Sequence, residues 1–464
     1  MTRIENRTWD ELHLGDAATL ERTLTAQDIA LFAAMSGDIN PAHVDEDYAR
    51  GDRFGHVVAH GMWGGALISA VLGTQLPGPG TIYLEQSLRF LRPVAVGDTV
   101  RAGVRVAGKD ESKRRVSLDC TVLNQRGEQV IVGTALVLAP TEKISREAVE
   151  MPSVALYWKG RRHEALIAQA RGLPPLRTAI VHPVDELSLH GAFAAAQAGL
   201  IVPVLVGPQR RIGDAAARVG IDLAGCERID TEHSHAAAAT AVALARDGKV
   251  EALMKGALHT DELMQAVVAA NGGLRTGRRI SHVFAIDAPA YPRMLYVTDA
   301  AINIQPDLPA KADIAQNAID LVRALGVESP RLAILSAVET VSADLRSTLD
   351  AAALCKMAER GQLVGAILDG PLAFDNAVSE AAAQAKGIAS AVAGRADILL
   401  APDLEAGNIL AKQLEYLADA QTAGIVLGAR VPIVLTSRAD GVPARLASCA
   451  IALLWARRPL APTP

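Results

Sequence analysis

The stretch that decides the fold of the first part of the chain is residues 81–140, where apolar and polar residues alternate in four long segments. These segments are TIYLEQSLRFLRPV (81–94), DTVRAGVRVAG (98–108), RRVSLDCTVLNQ (114–125) and EQVIVGTALVLAP (128–140). The turn sequences GKDESK and NQRGEQ separate neighbouring segments at hairpin spacing, which indicates an antiparallel sheet. Because helical signals precede the segments, the sequence predicts an α+β unit over residues 1–140.

The second part of the chain has a different texture. From Ala179 onward, short apolar runs alternate with alanine-rich amphipathic stretches of helical length. The runs are TAIVHPV (178–184), LIVPVLVGP (200–208), RLAILSA (331–337), GAILDGP (365–371), ADILLAPD (396–403) and VPIVLTS (431–437). This alternation predicts parallel strands with crossover helices, in an open α/β unit over residues 176–464. Residues 141–175, which end in Gly-Leu-Pro-Pro, are interpreted as a linker that contains a helix.

Length and charge agree with two enzyme-sized units. At 464 residues the chain is longer than one hydrophobic core usually serves. Half of the residues are apolar but only 3% are aromatic, which favours alanine-rich helices packed closely on a sheet. The formal net charge is −5, so no overall positive field favours nucleic acid as a partner.

The cysteines and the apolar runs bear on the compartment. Four cysteines lie far apart, without a C-x-x-C pair or the dense spacing of a disulfide scaffold or zinc site: Cys120, Cys226, Cys355 and Cys449. The N-terminal segment lacks the apolar core of a secretory signal, and no apolar run approaches the roughly 20 residues that span a bilayer. The sequence therefore predicts a cytoplasmic protein without a membrane partner.

The segment SGDINPAHVD (36–45) is the first candidate site. A helix with a capping-box-like start at Thr25 is predicted to end at Gly37, and the loop after it presents Asp38 and His43. A carboxylate and an imidazole on one loop can exchange a proton with a bound water near neutral pH. Taken singly, such an Asp is usually a turn or cap residue. A metal is not expected here, because neither a cysteine nor a second nearby histidine joins Asp38, His43 and Asp45.

The segment AHGMWGGALIS (59–69) adds an electrophilic group. His60-Gly61 is predicted to open a helix, whose first amides have no partner within the helix. The Gly61 N–H could therefore stabilise a carbonyl oxygen that gains negative charge. An acid/base pair and an oxyanion donor together make a workable active site.

These two segments resemble the signature of the MaoC-like (R)-specific enoyl-CoA hydratases, over about residues 10–140. The resemblance implies a hot-dog fold, in which an antiparallel sheet wraps a long helix. It also implies that Asp38 and His43 activate a water that adds to a 2-enoyl-CoA, giving an (R)-3-hydroxyacyl-CoA. Gly61 would hold the thioester oxygen, Ser69 would support the site, and Asn40 would orient the loop. A thioesterase or dehydratase stays as the alternative activity for this unit.

In the α/β unit, polar clusters follow apolar runs, where open α/β sheets usually bind ligands. They are MKGALHTDELM with Lys255, His259 and Thr260; RTGRRISHVF with Arg275, Arg278, Arg279 and Ser281; ILDGPLAFDNAVS with Asp369 and Asp375; and VLTSRADG with Ser437, Arg438 and Asp440. Such groups suit a phosphate oxyanion. The plain alternatives are a solvated face for Lys255 and the arginine run, and a helix cap for Asp369. His233 and His235 are interpreted as a helix N-terminus rather than metal ligands.

Together these segments resemble the phosphate acetyl/butyryltransferase family over about residues 176–460. The resemblance is carried by KGALHT, SHVFAID, VTDAAINIQPDL, LDGPLAFDNAVS, LLAPDLEAGNILAKQL and VLTSRAD. It implies the two-subdomain α/β/α fold of the isocitrate/isopropylmalate dehydrogenase-like enzymes, with residues 284–424 inserted between the flanking segments as one subdomain. It also implies reversible acyl transfer between coenzyme A and phosphate, by attack of the CoA thiolate on an acyl phosphate.

The family's residues carry over at several positions. Ser437 and Arg438 match the pair that binds the reacting phosphate and carbonyl. Further substrate, CoA or phosphate contacts are expected from Lys255, Thr260, Arg275, Arg279, Ser281, Asp375, Asn408 and Asp440. Acetyl-specific members have a catalytic Asp where this chain has Ala444, and Asp440 is close but not at that spacing. The thiol base is thus open, and a non-catalytic CoA-binding or oligomerising scaffold is the alternative for this unit.

Both resemblances imply CoA thioesters. The sequence therefore predicts a bifunctional enzyme of acyl-CoA metabolism, an enoyl-CoA hydratase joined to a phosphate acetyl/butyryltransferase. Its substrates would be acyl-CoA, CoA, phosphate and acyl phosphate, and no permanently bound cofactor or metal is expected. A homo-oligomer, a dimer or a multiple of dimers, is expected from both families.

Overall fold

The computed structural model describes residues 3–151, 154, 156–437 and 440–459. The chain divides into two compact units, Met1–Leu156 and Tyr157–Pro464. None of the helices in these described ranges is both long and apolar enough to cross a membrane.

The first unit combines an antiparallel sheet with one long helix. Its elements are β1 (Arg3–Glu5), a 3₁₀ helix (Trp9–Glu11), β2 (Ala17–Thr23), α1 (Ala26–Ser36), α2 (Pro41–Val44), α3 (Glu46–Gly51), α4 (Gly61–Thr74), β3 (Ile82–Phe90), β4 (Thr99–Asp110), β5 (Arg115–Asn124), β6 (Gln129–Leu138) and β7 (Ser145–Glu147). The main sheet has the strand order β2-β4-β5-β6-β3, and every pair in it is antiparallel. The four alternating segments of the sequence form β3 to β6, which confirms the predicted antiparallel sheet.

Helix α4 packs on this sheet because its buried side is apolar or very small. Trp63, Ile68 and Leu72 belong to the core that the sheet and the helix share. A Cβ atom added at Gly64 would lie 2.4 Å from Cδ1 of Ile131, so the glycine permits a close approach of the strand to the helix. The helix thereby holds its N-terminus in a fixed place against the sheet.

The segment after β6 still belongs to the first unit. Strand β7 pairs antiparallel with β1, and Arg3 lies opposite Glu147. The predicted linker of residues 141–175 therefore begins with a paired strand. Its predicted helix is α5 (Arg161–Ala170), which lies in the second unit.

The second unit has helices on both faces of one large sheet. Its strands are β8 (Leu176–Val181), β9 (Ile201–Val206), β10 (Glu227–Ile229), β11 (Ala252–Lys255), β12 (Ser281–Asp287), β13 (Leu295–Thr298), β14 (Arg331–Leu335), β15 (Ile367–Leu372), β16 (Ile398–Leu400), β17 (Gln421–Leu427) and β18 (Ile433–Val434). Its helices after α5 are α6 (Glu186–Gln197), α7 (Gln209–Val219), α8 (Ser234–Arg246), α9 (Thr260–Val268), α10 (Leu308–Ala324), α11 (Arg346–Glu359), α12 (Phe374–Val378), α13 (Glu380–Ala385), α14 (Leu404–Leu417) and α15 (Val442–Ala456).

Alternate residues of β8 show why the helices lie on both faces. Leu176 and Ile180 belong to one hydrophobic core, whereas Ala179 and Val181 belong to another. A strand with apolar residues on both faces needs cover on both sides. The predicted α/β layering of this unit is therefore confirmed.

The sheet is mixed rather than wholly parallel. Its strand order is β10-β9-β8-β11-β18-β17-β12-β13-β16-β14-β15. Strand β17 is antiparallel to both β18 and β12, and β12 is also antiparallel to β13. The prediction of parallel strands therefore holds within the two outer groups and is wrong at the centre. The changes of strand direction at the centre of the sheet decide which strand ends, and therefore which functional side chains, share an edge.

Candidate active sites

The loop that carries Asp38 is fixed by local hydrogen bonds. Helix α1 has its predicted capping box at Thr25 and ends at Gly37, whose φ of 75° lies in the left-handed region that favours glycine. An Asp38 carboxylate oxygen accepts the Asn40 amide at 3.2 Å. The Asn40 side chain in turn accepts the Ala42 amide at 3.2 Å, at the start of α2. These two bonds tie the Asp38 loop to the start of α2 through Asn40, and the Asp38 carboxylate is exposed.

The His43 ring has one nitrogen committed to the backbone. Its Nδ1 donates to the carbonyl oxygen of Val58 at 2.8 Å, and the ring is half-buried. Because a carbonyl can only accept, Nδ1 carries the hydrogen and a neutral ring has its lone pair on Nε2. An imidazole held in this tautomer can take up a proton at Nε2.

His60 completes this cluster, which the sequence interpretation missed. One side-chain ligand atom from each of Asp38, His43 and His60 lies within 4.8 Å of the other two. The two imidazole ring centroids are 4.1 Å apart. The expectation that no second histidine lies near Asp38 and His43 is therefore wrong. The only signal was the position of His60 directly before the predicted helix start, because the fold rather than the sequence spacing brings the three residues together.

The N-terminus of α4 borders a cavity beside this cluster. Gly61 is the first residue of α4, where helix geometry leaves the amide without an intrahelical partner. A Cβ atom at Gly61 would lie 3.0 Å from the Phe90 ring. The cavity measures about 290 Å³, and its lining includes Ser69, which is two turns further along the helix and exposed. Its walls are Phe32, Met62, Gly65, Ala66 and Ser69 on one side and Tyr83, Gln86 and Leu88 of β3 on the other.

In the second unit, the parallel strands gather predicted residues at one edge of the sheet. Strand β11 is parallel to both β8 and β18, so the carboxyl ends of these strands share an edge. Lys255 ends β11, Thr260 begins α9, and Ser437 follows β18. Lys255 is only 4% exposed, and its Nζ donates to the Leu258 carbonyl at 3.2 Å. The alternative of a solvated face is therefore wrong for Lys255.

Asp440 is built into the turn after β18. One of its carboxylate oxygens accepts the Ser437 amide at 2.6 Å. The carboxyl group is buried, and burial raises its pKa above the usual range of Asp. Arg438, the partner of Ser437 in the sequence interpretation, lies outside the described residues. The structure thus supplies a buried carboxylate next to Ser437 at the edge where ligands of such sheets bind.

Two residues at this edge were not predicted. Arg445, in the first turn of α15, is 2% exposed, and its Nε and Nη1 find no partner in the part of the chain that the structure describes. Its Nη2 lies 3.5 Å from the Ser437 carbonyl. His182 follows β8 with a φ of 55°, and burial lowers its pKa. An arginine inside the apolar stretch VPARLASCAIALLWA was the available signal for Arg445.

The other predicted residues lie at the opposite edge. Because β12 is antiparallel to β17 and β17 to β18, the start of β12 is remote from Ser437. The strands β13, β14, β15 and β16 are mutually parallel and run against β12, so their carboxyl ends share that opposite edge. The residues at this edge are Arg275, Arg279, Ser281, Asp375 and Asn408. The sequence interpretation expected these residues to contact substrate, CoA or phosphate, and the strand directions place them at the edge opposite Ser437 within one chain.

Several of these side chains already have partners. Ser281 is fully buried and accepts the Asn317 amide nitrogen at 2.9 Å, so this placement favours a supporting role over ligand contact. Arg279 Nη1 lies 3.4 Å from the Asn303 side-chain oxygen. Asn408 donates to the Ala300 carbonyl at 3.1 Å.

The remaining candidates at this edge differ in their surroundings. Arg278 forms an ion pair with Asp320 at 2.5 Å. Asp375 is exposed, with Lys386 Nζ at 3.6 Å from its carboxylate. Asp369 lies inside β15, so the helix-cap alternative for it is wrong.

The histidine pair in TEHSHAAAA forms a helix start, as predicted. His233 is the N-cap residue of α8, and its Nδ1 accepts the Ala236 amide at 3.2 Å. His235 lies 3.5 Å from a carboxylate oxygen of Glu262. These contacts are those of a capped helix N-terminus.

Comparison with known proteins assigns each unit. The family model described as phosphate acetyl/butaryl transferase matches residues 231–453, and the model described as MaoC like domain matches residues 15–126. A phosphate acetyltransferase of Rhizobium meliloti is 62% identical over 297 residues, which cover 64% of this chain and 94% of that protein. A phosphate butyryltransferase of Clostridium beijerinckii is 37% identical over 298 residues, which cover 64% of this chain and 99% of that protein.

A solved structure agrees with these relatives. The branched-chain phosphotransacylase of Enterococcus faecalis superposes with a TM-score of 0.52 at 26% identity, covering 61% of this chain and 99% of its own. The matched share corresponds in length to the second unit. The chain therefore belongs to the phosphate acetyl/butyryltransferase family and carries a MaoC-like hot-dog domain in front of its transferase region.

Proposed function

We propose that the chain is a bifunctional enzyme of acyl-CoA metabolism, which hydrates 2-enoyl-CoA in its first unit and transfers an acyl group between CoA and phosphate in its second. The observation that carries the first activity is the cluster of Asp38, His43 and His60, of which His60 directly precedes Gly61 at the start of α4. The observation that carries the second is the 62% identity with a phosphate acetyltransferase over nearly its whole length. A non-catalytic transferase-like scaffold is not favoured by an identity of this size.

In the hydration step, the oxygen of a water forms a bond to C3 of the enoyl thioester. Asp38 and His43 act as one acid/base pair, which takes up one proton of that water as the hydroxyl bonds to C3 and returns one proton to C2, so the pair ends in its starting protonation state. The Gly61 amide donates to the thioester oxygen, which gains negative charge as the double bond is attacked. The cavity beside α4 holds the acyl chain, with Ser69 on its wall. The product is an (R)-3-hydroxyacyl-CoA.

In the transfer step, the CoA thiol loses its proton and the thiolate attacks the carbonyl of an acyl phosphate, so that phosphate leaves. Ser437 and Arg438 bind the phosphate and the carbonyl, with Lys255 and Thr260 at the same edge of the sheet. We propose that Asp440 accepts the proton of the CoA thiol. Its buried carboxyl group accepts a hydrogen bond from the Ser437 amide and has a raised pKa. The Asp440→Asn variant keeps an oxygen for that amide, so it tests the proton transfer with little effect on the turn.

One assay of the purified full chain tests both activities. Hydration is followed as loss of the enoyl absorbance of crotonyl-CoA. Acyl transfer is followed as phosphate-dependent release of CoA from acetyl-CoA or butyryl-CoA, detected with a thiol reagent. Asp440→Asn is expected to lower kcat of acyl transfer by about 10²-fold or more and to leave hydration unchanged. Phosphate-independent CoA release, or hydration that survives in His43→Ala, would contradict the assignment.

The quaternary state is part of the proposal. Strand β3 lies at the edge of its sheet, where β6 is its only partner among the described strands. It exposes large apolar side chains, including Ile82, Leu84 and Phe90. The same strand forms one wall of the cavity, at Tyr83, Gln86 and Leu88. An unpaired apolar edge is normally covered in a stable protein. A second copy of the chain paired along β3 would cover it and close the cavity.

The fold family of the second unit, the domain bounds, the substrates and the compartment are also part of the proposal. The resemblance of the second unit to the isocitrate/isopropylmalate dehydrogenase-like fold, with residues 284–424 as an inserted subdomain, remains a prediction. The division into residues 1–140, 141–175 and 176–464 is proposed for the functional regions. Coenzyme A thioesters and phosphate are proposed as substrates, and the cytoplasm as the compartment.

A further inference from the structure

We propose that His60 is a positioning residue for hydration, which holds the Asp38 loop and the His43 ring in register with the Gly61 amide. This inference rests on the hydratase function proposed for the first unit. It concerns a residue that does not need to touch the substrate, because its contacts are with the groups that do.

The first contact ties two distant segments together. His60 Nε2 donates to the backbone carbonyl of Asp38 at 2.9 Å. His60 is also the N-cap residue of α4, so it is covalently joined to Gly61. The bond therefore couples the main chain that carries the carboxylate to the helix start that carries the oxyanion donor. Any shift of one relative to the other must stretch this bond.

The second contact restrains the His43 ring. The His60 imidazole packs against two rings, each tilted by 34° to it, with its centroid 4.1 Å from that of His43 and 4.9 Å from that of Phe32. His43 is held from the other direction by its Nδ1–H bond to the Val58 carbonyl. The adjacent His60 ring therefore limits the remaining freedom of the His43 imidazole to tilt.

The third observation separates positioning from simple packing. His60 is 3% exposed, and within the described part of the chain its Nδ1 has no hydrogen-bond partner. A buried acceptor without a partner lowers stability. If this position only had to be filled, an apolar ring such as phenylalanine would be favoured, because phenylalanine has no nitrogen that burial leaves without a hydrogen-bond partner. The gain that offsets this loss is the Nε2–H bond to Asp38.

The test compares three substitutions at this position in the full chain. His60→Phe keeps a ring to pack against His43 and Phe32 and loses the hydrogen-bond donor. His60→Gln places an amide NH₂ near the position of Nε2, and His60→Asn places one near Nδ1 only. His56→Gln, at an exposed histidine of the same unit, is the matched control. Acyl transfer by the second unit and the melting temperature are measured for each variant.

The expected result is a loss in kcat with KM for crotonyl-CoA nearly unchanged. A misplacement of reacting groups by about 1 Å costs about 10²-fold in rate, and His60→Phe should approach this loss. His60→Gln should recover most of kcat, whereas His60→Asn should not. If His60→Phe does not fold, the comparison of the Gln and Asn variants decides.

Two results overturn the inference. The first is wild-type kcat in His60→Phe, and the second is an equal loss in the Gln and Asn variants that follows their melting temperatures. A wild-type chain that does not hydrate crotonyl-CoA, in a preparation that transfers acyl groups, overturns the hydratase proposal itself. The control variant His56→Gln must retain wild-type kcat, and its loss would show that any histidine substitution in this unit impairs the site.

Discussion

The substitution Asp38→Asn isolates the chemistry of the carboxylate from its structural contacts. The side chain is exposed, and its only described side-chain bond accepts the Asn40 amide at 3.2 Å. An asparagine oxygen can accept the same bond. The bond from His60 goes to the backbone carbonyl of residue 38 and is unaffected by the change. The variant should therefore fold with the loop in place.

The magnitude follows from what remains. Replacing the charged acceptor of one exposed hydrogen bond, that from the Asn40 amide, lowers the free energy of unfolding by at most about 1 kcal/mol. A general acid or base contributes about 10²–10⁴-fold to the rate, or about 3–5 kcal/mol in the activation free energy. Because the cavity and the Gly61 amide are untouched, KM for the enoyl thioester should stay within about threefold. The loss should appear in kcat alone.

The assay is the initial rate of enoyl absorbance loss with crotonyl-CoA, run beside acyl transfer in the same preparation. Asp45→Asn is the matched control, since Asp45 lies seven residues along the same segment and caps α3 through the amides of Asp47 and Tyr48. Hydration by Asp38→Asn within about threefold of wild type would refute the proposed role. So would an equal loss in Asp45→Asn, because the effect would then come from the loop rather than the carboxylate.

Three further predictions concern stability and assembly. Asp350→Leu should lower the free energy of unfolding by about 3–5 kcal/mol, because the buried Lys311 ammonium loses the carboxylate that lies 2.7 Å away. The double variant Asp350→Leu/Lys311→Met should recover most of that loss, as measured by urea unfolding. Burial lowers the pKa of His282 from 6.5 to about 4, so the unfolded state binds more protons than the folded state between these pH values. The free energy of unfolding should therefore fall by up to about 3 kcal/mol as the pH drops from 6.5 to 4. His282→Leu should flatten this dependence in unfolding titrations, and a slope equal to that of wild type would contradict the prediction. Leu84→Lys should lower the solution mass measured by light scattering if β3 is the contact between copies, and an unchanged mass would exclude that edge.

Local physical chemistry explains which features the sequence could predict. The capping box at Thr25, the left-handed Gly37 and the helix start at Gly61 depend on neighbours within a few residues, and each is where the sequence placed it. The alternating segments of residues 81–140 became β3 to β6 because a two-residue period leaves one face of each strand apolar. The residues next to His233 likewise predicted the capped helix start there.

Contacts between distant segments could not be predicted in the same way. His60 meets Asp38 across 22 residues, and Arg445 is buried near Ser437 because α15 packs back on the sheet. Neither contact has a local signature beyond a polar residue in an apolar stretch. Such residues are found only when the segments around them have been placed.

The sequence by itself determined the two kinds of unit, the Asp38 loop and the helix that begins at Gly61, because hydrophobic period, turn residues and caps act over short distances. Only the tertiary structure decided that His60 joins Asp38 and His43, and that Arg279 and Ser437 lie at opposite edges of one sheet. The reason for the second result is that β12 is antiparallel to β17 and β17 to β18, so β12 and β18 run in the same direction, and Arg279 precedes β12 whereas Ser437 follows β18. Strand direction is set by which strands pair, and pairing is a property of the whole sheet rather than of any one segment.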